Sequence, residues 1–294
     1  GAALSAAMAA ADIAPTALAA AGCHGQTVRH SPDASPPFTL QLGCGAAAAV
    51  GSGVVIVNDF RSADMALGGQ GAPLVPAFHQ AAFSHADTAR VIVNLGGIAN
   101  ITVLQPGSPV RAWDTGPGNT LLDGHCRAQQ AADFDTGGQW AASGTVDTRF
   151  LQQLLADPYF GRAAPKSTGR EYFNESWVQQ HCAAPDAPRG ADLQATLAEL
   201  TAASIAADIS AALPAAEVYL CGGGAANEDL RQRLAARLSG FTLHTSDALG
   251  IGPHWVEAAA FAWLARARMT GAPGNIPSAT GAVREAILGA IHHP

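Results

Sequence analysis

Short apolar runs rich in β-branched residues, separated by glycines and polar breaks, set the rhythm of this chain. Runs of this kind bounded by turn formers read as strands, and those at 39–42, 54–57, 90–93, 101–104, 110–113, 217–220 and 241–244 qualify. Longer stretches at 121–131, 146–155, 193–213, 228–238 and 256–268 repeat their apolar positions every three to four residues, which predicts helices. Residues 4–11 form a helical fragment by composition, ended near Pro15. A hairpin signal covers 91–104, and Asn227-Glu228-Asp229 marks a helix start after three glycines. Strands and helices alternate, so the expected class is α/β or mixed α+β.

Composition adjusts this picture at a few points. Alanine supplies 65 of the 294 residues, yet enough larger apolar side chains remain for a sizeable core, in one large domain or two sharing a cleft. Lys166 is the single lysine, net charge is −7, and no basic stripe runs along any segment, which argues against a nucleic-acid partner. Five cysteines without a CxxC pair fit neither a disulfide framework nor a zinc site, and suit a reducing, cytoplasmic setting. His24, His30, His79 and His125 lack metal-ligand spacing, so no protein metal site is expected. The alanine-rich start has no basic leader and is interrupted by Asp12 and Pro15, unlike a signal peptide. No apolar run reaches the roughly 18–20 residues needed to span a bilayer, so no membrane partner is expected.

Several segments could carry chemistry. RVIVNLGGIANITVL (90–104) is strand, loop and strand, with Gly96-Gly97 flanked by Asn94 and Asn100. Paired glycines let a backbone approach a phosphate, although the same pair also makes an ordinary hairpin turn. In VRAWDTGPGNTLLD (110–123) a strand delivers Asp114 to its C-terminal end, ahead of a rigid Gly-Pro-Gly loop and a helix starting near Asn119. A carboxylate there is a candidate general base, or else an Asx-turn acceptor. VYLCGGGAAN (218–227) repeats the strand–glycine–helix pattern without the dinucleotide fingerprint; it admits a flat base or sugar, or is only a tight turn. Arg61 follows a strand and can fork onto a carboxylate or phosphate, or pair with Asp64 on the surface. Glu257 opens the last long helix, where capping alone would explain it. The segment around Lys166 fails the P-loop pattern.

As a set, CHGQTVRHSP (23–32), NDFRSADMALGGQGAPLVPAFH (58–79), VNLGGIANIT (93–102), DTGPGNTLLD (114–123), PKSTGREYFN (165–174), CGGGAAN (221–227) and EAAAFAWLA (257–265) resemble the anhydro-N-acetylmuramic acid kinases. These belong to the superfamily of actin, sugar kinases and heat-shock ATPases. The resemblance implies two RNase H-like lobes and an interlobe cleft, the first lobe from 1–62 with 272–294 and the second from 63–271. It implies conversion of 1,6-anhydro-N-acetylmuramic acid, ATP and water to N-acetylmuramic acid 6-phosphate and ADP in cell-wall recycling, with Mg2+ at the phosphates. Asp114 matches the family's base. Glu257, Arg61, His24 and Gln26 match substrate-side positions. The ATP phosphates would lie near Gly96 and Gly97 and the adenosine side near Gly222, Gly223 and Gly224, with Asn100, Gly116, Gly118 and Asn119 as further ATP-binding positions. The family's GTSxDGxD-type loop has no match here, so the first lobe is expected to be incomplete. A non-catalytic sugar-binding relative, or a kinase for another sugar, stands as the alternative. The expected partners are small molecules, with a homodimer as the candidate assembly.

Overall fold

The computed structural model describes residues 1–164 and 166–294, which divide into two compact units, 1–82 with 257–294, and 83–256. Ten strands run through the described residues: β1 (Ala21–Gly22), β2 (Gln26–Ser31), β3 (Phe38–Leu42), β4 (Ile56–Asn58), β5 (Arg90–Leu95), β6 (Ile98–Leu104), β7 (Arg111–Pro117), β8 (Glu217–Cys221), β9 (Thr242–Thr245) and β10 (Ala290–His292).

Residues 83–256 are built on the sheet β7-β6-β5-β8-β9. β6 is antiparallel to β5 and β7, while β8 and β9 run parallel to β5. Three strands in a meander followed by two joined through crossovers, in spatial order 3-2-1-4-5, is the RNase H-like arrangement expected. The alternation of β5 explains its place at the centre. Val91, Val93 and Leu95 pack with Ile101 and Val103 of β6, Val218 and Leu220 of β8, and Ile205, Ile209 and Leu213. Each such side chain contributes about 1.5–3 kcal/mol on burial. The helix Gly190–Ala212 is apolar on nearly every side because it serves two cores. Its first half, through Leu193, Leu197 and Leu200, joins Phe150, Leu154, Tyr159, Phe173 and Trp177 in the second. Asn227 caps the helix Glu228–Arg237 by accepting from Leu230 N–H at 2.9 Å, a contact of about 1 kcal/mol.

The unit 1–82 with 257–294 holds the sheet β1-β4-β10 and the separate hairpin β2–β3. Phe261, Leu264 and Ala265 of the helix Val256–Thr270 pack on Val57, Phe60 and Leu288. Asp64 is fully buried and accepts from Gly71 N–H at 2.8 Å, Asn275 Nδ2 at 2.6 Å and Thr280 Oγ1 at 2.7 Å. These contacts place 63–82 and 257–271 in this unit, whereas the expected boundaries put both stretches in the other.

Two further expectations change. β2 escapes the apolar pattern, because its polar residues, Gln26 and Thr27 among them, lack an apolar face. β7 continues through Gly116 and Pro117, so Asp114 lies within the strand and not at its end. Proline is tolerated there because β7 is an edge strand.

Candidate active site

β5, β7 and β8 point the same way, which puts their C-terminal ends along one sheet edge, the usual place for ligand loops in such folds. The loops that follow them converge. Gly118 N–H and Thr120 N–H both donate to Gly97 C=O, at 2.9 and 3.0 Å, and Asn119 N–H donates to Gly96 C=O at 2.8 Å. The Asn119 side chain donates to Leu95 C=O at 2.9 Å. A side chain at Gly118 would run into Gly96 C=O, so the close approach requires glycine. Gly222 has φ +80°, and a Cβ there would stand 2.5 Å from Asn94 Oδ1. Gly224 packs on Asn119, the Gly223 Cα faces open space, and the Arg170 guanidinium covers Gly97. Gly116 lies against the Phe160 ring, and Asn100 pairs with Asp114 across β6 and β7.

Between Asn100 and Ala99 the register slips, leaving Thr115 as an extra residue on β7. Such a bulge twists the strand and re-aims the adjacent side chain. Asp114 Oδ2 accepts from Thr168 N–H at 3.0 Å, Asp114 N–H donates to Lys166 C=O at 3.0 Å, and the Tyr159 hydroxyl donates to Asp114 C=O at 2.7 Å. The carboxylate is therefore held by a distant segment and not in an Asx turn. Burial pushes its pKa up to about 6; the Thr168 hydrogen bond opposes the rise and the nearby Glu171 charge adds to it. The Thr168 hydroxyl beside it is buried with no protein partner. Thr168, Lys166, Tyr159 and Glu171 were not singled out as site residues from the sequence. For Lys166, Thr168 and Glu171 the signal was that PKSTGREYFN is polar and glycine-broken between two helices; Tyr159 lies outside that stretch.

The other unit carries a second cluster. Arg61 donates from one terminal nitrogen to His24 Nε2 at 2.8 Å and from the other to Gly71 C=O at 2.6 Å, while its buried Nε–H has no protein partner. His24 Nδ1 lies 2.7 Å from Gly25 C=O, so Nδ1 donates and Nε2 accepts from the guanidinium. Both bonds are met only by the neutral imidazole. Burial chiefly, and Arg61, lower the pKa of His24, against the Gly25 bond and the Glu257 charge. Burial also lowers that of Arg61, and Glu257 opposes it. Glu257 sits exposed in the first turn of its helix and acts on both neighbours through its charge. Arg61 does not pair with Asp64, whose oxygens are engaged elsewhere. Gln26 stands apart, exposed on β2 and donating to Thr27 C=O at 3.3 Å.

Among the described residues no group of three or more His, Cys, Asp or Glu is placed to hold a metal ion, and no helix is long and apolar enough to cross a membrane. Fold and site together define the class: an RNase H-like α/β lobe with glycine loops along one sheet edge and a half-buried carboxylate near it on β7. The sequence profile of the anhydro-N-acetylmuramic acid kinases matches residues 2–294. The anhydro-N-acetylmuramic acid kinase of Shewanella oneidensis is 51% identical over 278 residues, 94% of this chain and 75% of that protein. That of Shewanella amazonensis is 53% identical over 275 residues, 93% of this chain and 74% of that protein. The chain belongs to the anhydro-N-acetylmuramic acid kinase family.

Proposed function

We propose that this chain is a cytoplasmic, ATP-dependent kinase of cell-wall recycling that converts 1,6-anhydro-N-acetylmuramic acid, ATP and water to N-acetylmuramic acid 6-phosphate and ADP. The observation that carries this reading is the Asp114 carboxylate, fixed by Thr168 N–H next to three converging glycine loops. A half-buried carboxylate whose pKa is pushed up to about 6 is ionised at neutral pH and basic enough to take a proton from water. Asp114 removes that proton as the water oxygen bonds to the anomeric carbon. The bridge oxygen leaves that carbon, stays on carbon 6, and accepts the γ-phosphoryl group as ADP departs.

Gly96, Gly97, Asn100, Gly116, Gly118 and Asn119 are assigned to the phosphate side, where Asn119 precedes the helix Thr120–Gln130 and its N-terminus favours anions. Gly222, Gly223 and Gly224 are assigned to the adenosine side, supported by the side-chain-free surface at Gly223. When bound, Mg2+ neutralises phosphate charge, and it characteristically rides on phosphate oxygens with few protein ligands. Arg61, His24 and Glu257 are assigned to the sugar. The buried Arg61 Nε–H supplies a donor for a ligand oxygen. Gln26 is kept as a substrate-side candidate by its place in CHGQTVRHSP alone.

The test is ADP release by the purified chain with ATP and Mg2+, with and without the anhydro sugar. We expect release to depend on the sugar and to fall by about 100-fold to 10,000-fold in Asp114→Asn. Release that ignores the sugar, or that survives the substitution, contradicts the reading.

A further inference from the structure

Asp114 owes its placement to groups that are themselves tied together elsewhere. Lys166 Nζ lies 3.1 Å from Asp208 Oδ2 and 3.2 Å from Oδ1, with the lysine side chain only 3% exposed. Trp113, the residue before Asp114, donates from Nε1 to the same Asp208 Oδ2 at 2.9 Å. The lysine ammonium also sits 5.3 Å from the centre of the Tyr159 ring, whose hydroxyl holds Asp114 C=O. Segment 166–168 is thus anchored twice. Its main chain grips Asp114 at Lys166 C=O and Thr168 N–H, and its one buried cation is clamped to the central helix Gly190–Ala212. Burying an ion pair is a poor route to stability for its own sake, because desolvation offsets most of the attraction. Its use here is to fix a register.

We propose that the Lys166–Asp208 pair, neither member of which is assigned to the nucleotide or the sugar, is a positioning device that locks segment 166–168 against β7 and so fixes where the Asp114 carboxylate points and how dry it stays. The inference rests on Asp114 being the base. The charged and titratable groups around that carboxyl are Glu171 on the same segment, Tyr159 with Arg162 beside its ring, and the Lys166–Asp208 pair itself. Burial raises Asp208, and Lys166 pulls it back toward the ionised form that the clamp requires. Releasing the segment removes the Thr168 hydrogen bond and lets water reach Asp114 together. Since burial is the larger influence, the carboxyl should move down toward an ordinary aspartate.

The test uses Lys166→Met, similar in length and without charge, and Asp208→Asn, which keeps an acceptor for Trp113 Nε1. Each is measured as full-length protein for melting temperature, for kcat and KM toward the anhydro sugar across pH, and for the Asp114 carboxyl titration by carbon-13 NMR. We expect at least one folded variant to show kcat reduced about 10-fold to 100-fold with KM for the sugar little changed. The Asp114 titration and the acid limb of kcat should both shift at least about one pH unit lower. If every variant that folds leaves the acid limb and NMR titration unmoved, the proposal is overturned, whatever the melting temperatures. If both variants unfold, the pair is a fold determinant and the positioning role is likewise rejected. Failure of Asp114 as base would instead show as undiminished turnover in Asp114→Asn, a separate result.

Discussion

At the scale of single residues, the raised pKa of Asp114 has a consequence for stability. A carboxyl at about 6 in the folded state and 3.8 when unfolded prefers to be neutral in the native protein. Its stabilising contribution is complete below about 3.8 and is lost as the pH climbs through about 6. Above that, the fold carries a buried charge that Asp114→Asn removes while leaving an oxygen for Thr168 N–H. We expect the inactive variant to be more stable than the parent at pH 8, by on the order of 2–3 kcal/mol, with the gain gone near pH 4. Thermal melts at the two pH values decide it; a variant less stable at pH 8 contradicts the burial argument. His24 offers a second check. Nitrogen-15 NMR should find the Nδ1–H tautomer, because Nδ1 donates to Gly25 C=O and Nε2 faces the Arg61 guanidinium, and a titration below the usual 6.5, chiefly through burial and then through the Arg61 charge. Asp114 was legible from a strand leading into a Gly-Pro-Gly loop. Its partners were not, since Tyr159 and Thr168 stand 45 and 54 residues further along the chain, and no local pattern encodes that distance. Gln26 shows the converse: a motif match can place a residue in a segment without placing its side chain in the cluster.

At the scale of elements, periodicity served the central strands and the long helices well, because their apolar faces are continuous. It failed where burial is slight or the partner is remote. The hairpin β2–β3 is largely polar on β2, and β10 is a three-residue strand whose pairing with β4 no sequence window reveals. Gly116 and Pro117 read as loop yet pair with Ala99 and Ile98, since the bulge carries the ladder past them. The glycine loops make a sharper prediction. Gly222→Ala forces a side chain into a left-handed backbone and toward Asn94, at a cost of about 1–3 kcal/mol in strain and local displacement. Calorimetry of ADP binding should show the loss, while binding of the anhydro sugar alone stays close to that of the parent. Unchanged ADP affinity in the folded variant would remove Gly222 from the nucleotide side.

At the scale of the whole molecule, the chain order of the two units differs. Residues 83–256 are continuous and hold both the five-stranded sheet and its cores, so this segment expressed alone should fold cooperatively and give a dispersed amide NMR spectrum. Residues 1–82 alone should not, because Asp64 needs Asn275 and Thr280, and Val57 and Phe60 need Phe261, Leu264 and Leu288. This division was hard to read in advance because the boundary falls at the start of the helix Val256–Thr270, inside one continuous element. The central claim, water activated by Asp114 at the anomeric carbon while the freed oxygen takes the phosphoryl group, is tested most directly by running the reaction in oxygen-18 water. We expect one heavy oxygen in the anomeric hydroxyl of N-acetylmuramic acid 6-phosphate and none in its phosphate, with labelled product forming about 100-fold to 10,000-fold more slowly in Asp114→Asn. Label in the phosphate, or a phosphorylated sugar with its anhydro ring intact, would contradict it.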